Sequence, residues 1–184
     1  NVGNLKSMNT MFKNASSFNQ PIGNWNVSKV TNMQNMFNNA NNFNYDIDIW
    51  NVSNVTNMKG MFNNAKSFNK DIHRWNVGNV TNMSEMFSNT DNFNQDISIW
   101  NMVNVKDLSK MFENSLVMNQ DFRYWNVSNV TNFSSWLNGA TNMTSEYNST
   151  PNWDLSANSN WFFTPLSDTN IKEAVNYSLI IEKC

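Results

Sequence analysis

Trp25, Trp50, Trp75, Trp100 and Trp125 stand 25 residues apart, and each is followed by Asn and then Val or Met. No insertion interrupts the period. A unit of this length held so strictly marks an array in which each repeat is one coil stacked on the next, since a single unit has too little apolar surface to fold alone. Six coils align: residues 1–25, 26–50, 51–75, 76–100, 101–125 and a degenerate one over 126–150. The domain division expected is a six-coil solenoid over 1–150 and a C-terminal capping segment over 151–184.

Within a coil the apolar residues keep fixed phase. In the second, Val30, Met33, Met36, Phe37, Ala40 and Phe43 recur at spacings of three, three, one, three and three, which predicts a short helix with one apolar face. Thr31-Asn32 ahead of it, repeated at Thr56-Asn57, Thr81-Asn82 and Thr131-Asn132, reads as an N-cap. Asn39, Asn64 and Asn89 stand where a left-handed C-cap belongs. The stretch after Phe43 reads NYDIDIWNV, and its aromatic and β-branched residues predict a short strand near residues 49–53. The fold class expected is therefore an α/β repeat with one short strand and one short helix per coil.

The columns of this internal alignment separate core from surface. The Trp column, the column of Val30 and Val55, the Met-Phe pairs and the Phe18, Phe43, Phe68 and Phe93 column are nearly invariant and read as core. Asn19, Asn44, Asn69, Asn94 and Asn119 form a polar column as constant as the core, which predicts an internal amide ladder satisfying turn backbone. Asn accounts for 41 of 184 residues. It tolerates left-handed backbone and bonds neighbouring peptide groups, so its abundance suits a chain made of tight turns.

The sixth coil departs from the pattern at Phe133, Trp136 and Gly139, and Pro151 ends it. Beyond it Trp153, Trp161 and Phe163 are expected to cover the open end, with a helix from about Thr169 capped by Asp168. At the other end the first coil shows no cap, which predicts further sequence upstream.

Composition excludes several function classes. A net charge of −2 with Lys and Arg scattered singly lacks the basic stripe of a nucleic-acid binder. No run of 18 apolar residues predicts a transmembrane helix, and the first residues do not read as a signal peptide. The one His and one Cys, His73 and Cys184, form no dyad, triad or metal cluster, so the sequence predicts no enzyme and no cofactor. Asp46, Asp71, Asp96 and Asp121 form an acidic column. Either successive carboxylates share a cation or each Asp accepts N–H bonds in its own turn, and Pro21 in the first coil favours the latter.

The repeat unit, W-N-V-S-N-V-T-N-M-x-x-M-F-x-N-A-x-x-F-N-x-D-I, resembles the BspA-like leucine-rich-repeat surface proteins over residues 1 to about 150. The resemblance implies a right-handed leucine-rich-repeat-like solenoid. It also implies display at the cell surface of a bacterium, with an N-terminal lipid anchor, adhesion to host proteins and antigenic variation. Leu is scarce here, replaced by Met, Phe, Trp and Val.

Function is then sought in the columns that vary while the core repeats. Asp48, His73 and Arg123 (with Ser98) form one such column, and Ile49, Arg74, Ile99 and Tyr124 form its neighbour. With Tyr45 and Lys70 they make a mixed aliphatic, aromatic and Arg surface of the kind enriched at binding sites. Two readings compete: a noncatalytic surface-interaction domain binding a host or extracellular protein, and a structural spacer or variable coat module with no ligand.

Overall fold

The computed structural model describes residues 2–122 and 125–146. The coils stack in the register of the tryptophans. Parallel bridges join Ser7 to Asn32, Asn32 to Asn57, Asn57 to Asn82, Asn82 to Asp107 and Asp107 to Asn132, each 25 residues along. They are isolated bridges, and among the described residues no sheet forms. The one helix among them is α1, Thr141–Glu146.

This overturns the expected α/β leucine-rich-repeat-like solenoid with a strand and a helix per coil. The Met-Phe run is a chain of successive four-residue turns. In the second coil Met36, Asn38 and Ala40 donate N–H bonds to the carbonyls of Met33, Asn35 and Phe37, at 3.2, 3.2 and 2.9 Å. The alternate N–H groups, those of Met33, Asn35, Phe37 and Asn39, donate instead to Asn57, Lys59, Met61 and Asn63 of the next coil, at 2.8–2.9 Å. A helix would keep all of these bonds inside one segment. Here four of these seven run along the stack.

The reason is a pair of left-handed positions. Asn35 and Asn39 have φ of 53° and 60°, and the same two places are filled by Gly60 (58°) and Asn64 (57°), Glu85 (59°) and Asn89 (56°), and Lys110 and Asn114 (both 57°). A positive φ at the third residue of a turn re-aims the next peptide plane, which prevents propagation into a helix. The Asn read as helix C-caps are left-handed as expected, but they lie inside a run of turns. The Thr-Asn pairs also serve the stack. Thr56 donates both its N–H and its hydroxyl to Thr31 O, at 2.9 and 3.2 Å, while Asn57 Oδ1 accepts the Lys59 N–H at 2.9 Å, two residues on.

The expected strand at 49–53 is likewise a pair of turns. Trp50 donates to Ile47 O at 3.1 Å and Val55 to Val52 O at 2.9 Å. Stacking rather than strand pairing holds this side. The indole Nε1 groups of Trp50, Trp75, Trp100 and Trp125 donate to the carbonyls of Ile22, Ile47, Ile72 and Ile97 in the preceding coils, at 3.1–3.3 Å.

Between these two sides lies a continuous apolar core. Phe37, Phe62, Phe87 and Phe112 stack coil on coil with centroids 5.6–5.7 Å apart. Within a coil each of the first three lies 3.9–4.0 Å from a second ring: Phe37 from Phe43, Phe62 from Phe68, Phe87 from Phe93. These rings are fully buried. The amide ladder forms as expected: the Oδ1 atoms of Asn19, Asn44, Asn69 and Asn94 accept the backbone N–H of Asn44, Asn69, Asn94 and Asn119, at 2.8–3.1 Å. The capping segment 151–184, with the helix expected near Thr169, lies outside the described residues.

Candidate functional site

The turn that closes on each ladder tryptophan positions the candidate columns. Ile47, Ile72 and Ile97 point into the core and Trp50, Trp75 and Trp100 return to it. The residue just before each Trp is left at the apex. Ile49 and Ile99 stand there 66% and 69% exposed, and Arg74 lies exposed on the rung between them. The outcome is an aliphatic, cationic, aliphatic line running along the stack. Tyr124, the next member of that column, and Arg123 beside it lie outside the described residues.

The neighbouring candidates are more engaged. Tyr45 is 38% exposed. Lys70 Nζ pairs with Asp46 Oδ1 at 3.2 Å, so this lysine is tied to the acidic column. Asp48 and His73 are half-buried. His73 donates its backbone N–H to Asp71 Oδ1 at 2.9 Å, and its Nδ1 lies 2.7 and 2.8 Å from the two oxygens of that carboxylate.

In the acidic column, Asp96 accepts the Ser98 N–H at 2.9 Å, the same contact that Asp71 makes with His73. These are turn bonds within one coil, the local role weighed for this column. Among the described residues no three His, Cys, Asp or Glu groups converge as a metal site would require. Leu116, outside the candidate columns, is 50% exposed. Its column, with Ser16, Asn41, Lys66 and Asp91, varies as much as the ones chosen, and that variation was the available signal. Lys66 and Asp91 form an ion pair across one rung at 3.5 Å.

The turn bonds set the electrostatics. The His73 backbone N–H, and then the His73 side chain, hold the Asp71 carboxyl below its ordinary range. The Ser98 hydroxyl, followed by the Ser98 N–H, does the same for Asp96. A carboxylate whose pKa is lower in the folded chain stabilises it above the unfolded pKa, and the contribution is lost as pH falls through the folded pKa. Urea midpoints should therefore decline as pH drops below about 4, and an Asp71→Asn, Asp96→Asn double variant should show a shallower decline. The effect will be small because both carboxylates are solvated.

A chain that repeats a buried coil with constant hydrogen-bond ladders, and changes side chains most freely at exposed columns, is a stacked-repeat scaffold. Residues 1–79 and 42–153 match the family described as Mycoplasma protein of unknown function, DUF285, and the chain belongs to that family. The two matches overlap over residues 42–79. No curated protein and no solved structure matches the chain. No helix among the described residues is long and apolar enough to cross a membrane.

Proposed function

We propose that this chain is a noncatalytic interaction domain of a bacterial surface protein, adhering to a host or extracellular protein through the face that carries Ile49, Arg74 and Ile99. The observation that carries this reading is the pair of isoleucines, 66% and 69% exposed on a scaffold that buries its other isoleucines of the same turn. Two aliphatic side chains flanking an arginine suit a partner with apolar grooves on either side of an acidic group. Tyr45, four residues before Ile49, is also exposed, and Arg123 and Tyr124 continue the candidate columns in the sequence. The likeness to BspA-like surface proteins supports display at the cell surface and variation of these columns between related chains.

A second reading is favoured by the constancy of the ladders: the array is a spacer or antigenic coat module, whose repeat number changes without disturbing any interface. A pull-down of serum and extracellular-matrix proteins distinguishes the two. On the interaction reading, a partner retained by the parent is lost by an Ile49→Ala, Arg74→Ala, Ile99→Ala variant whose circular dichroism is unchanged. Equal retention by both removes this face from consideration, and the absence of any retained protein favours the spacer.

A further inference from the structure

Asn138 is followed by Gly139, and no other Asn in this Asn-rich sequence precedes a glycine. An asparagine closes on its own backbone when three conditions meet: its amide is accessible, the next peptide N–H is free to approach Cγ, and no Cβ on the next residue obstructs that approach. Through most of the stack the second condition fails. After Asn38 and Asn63, the N–H groups of Asn39 and Asn64 donate to Asn63 O and Ser88 O, at 2.8 and 2.9 Å. After Asn14, Asn39, Asn64, Asn89 and Asn114, the next N–H closes a turn on Phe12, Phe37, Phe62, Phe87 or Phe112, at 2.8–3.3 Å.

Gly139 holds the position of Asn39 and Asn64 in the last coil, and its φ of 74° keeps the left-handed turn. Among the described residues its N–H donates to no carbonyl. Asn138 is exposed, and its side-chain amide makes no hydrogen bond among the described residues. Its counterpart Asn63 is buried, with its amide against Glu85 and its Oδ1 accepting from Asn64.

We propose that Asn138 is a self-modification site, converting to aspartate and isoaspartate through a cyclic imide. The Gly139 backbone nitrogen attacks Cγ of Asn138 and gives up its proton. The N–Cγ bond forms, the Cγ–Nδ2 bond breaks and ammonia leaves. Water then opens the ring: attack at Cγ yields aspartate, and attack at the main-chain carbonyl carbon yields an isoaspartyl linkage. One water enters and one ammonia leaves, with no change of oxidation state.

Both products alter the edge of the stack. A new carboxylate appears one rung from Glu113, which already pairs with Lys110 at 3.5 Å. The isoaspartyl form also inserts a methylene into the main chain beside the Asn138 carbonyl, which accepts the Asn114 N–H at 2.7 Å. That rung bond then loses its register, and the last coil is loosened from the fifth.

The test is to incubate the purified, folded chain in mildly alkaline buffer, digest it, and follow aspartyl and isoaspartyl forms by mass spectrometry and isoaspartyl methyltransferase labelling. The expected result is accumulation at residue 138 ahead of Asn14, Asn39, Asn63 and Asn64. The label at that position should be lost in Asn138→Gln, whose longer amide does not form the five-membered ring, and reduced in Gly139→Ala. Conversion at 138 no faster than at Asn63, or labelling that persists in the Gln variant, would overturn the proposal.

Discussion

Phe62→Ala should lower the unfolding free energy by about 3–5 kcal/mol, the usual cost of emptying a fully buried aromatic site. Phe62 is 0% exposed. It stacks on Phe37 and Phe87 at 5.6 Å, on Phe68 at 3.9 Å and near Trp75 at 6.3 Å. The cavity therefore opens onto three coils at once. Neighbouring coils hold these rings by backbone bonds from both sides, so the site has little freedom to collapse. A domain with a total stability of about 5–15 kcal/mol loses a large share of it, and urea denaturation followed by tryptophan fluorescence should show a much lower midpoint. Phe12→Ala in the first coil supplies the contrast. Phe12 is only partly buried, so its loss should cost distinctly less. Equal costs at the two positions would mean that the coils fold independently, against the coupling expected of a stack.

Asn69→Ala carries the second largest expected effect, about 1–3 kcal/mol for orphaning a part-buried donor. Asn69 Oδ1 accepts two bonds, from the Asn94 N–H at 3.1 Å and the Gln95 Nε2 at 2.8 Å. Alanine leaves both donors without an acceptor at a place where the chain turns. Asn69→Asp keeps an acceptor in the same position and should lose less at neutral pH, which separates loss of the ladder bond from loss of side-chain volume. The check is a pair of urea curves for the two variants. A leftward shift for Asp as large as that for Ala would sink the ladder account. Buried loops otherwise leave peptide groups unpaired, so a scaffold made of turns depends on such side chains far more than a helical or sheet protein does.

The sequence alone determined which residues face inward, where the coils repeat, and that the constant Asn19 to Asn119 column forms a ladder of amides. Those conclusions rest on phase, and phase survives whatever the local backbone does. It also determined which columns vary, and so brought Ile49, Arg74 and Ile99 forward as the candidate face. Their exposure could be inferred because each directly precedes a ladder tryptophan and follows an inward isoleucine by two.

Only the tertiary structure decided what the Met-Phe run becomes. Spacings of three and four satisfy a helix, and they equally satisfy consecutive turns whose bonds span three residues. The choice rests on the peptide N–H groups between the apolar residues, and in this chain their acceptors are carbonyls one coil away. No local window contains both partners. Asn39 illustrates the limit: its left-handed preference was legible, but whether it ended a helix or turned the chain within a stack depended on Asn63 O at 2.8 Å, 24 residues on. The partners of Lys70 and His73 were hidden for a related reason. A charge pair such as Lys70 with Asp46 depends on which side chain leans across the rung, and that geometry exists only once the coils are stacked.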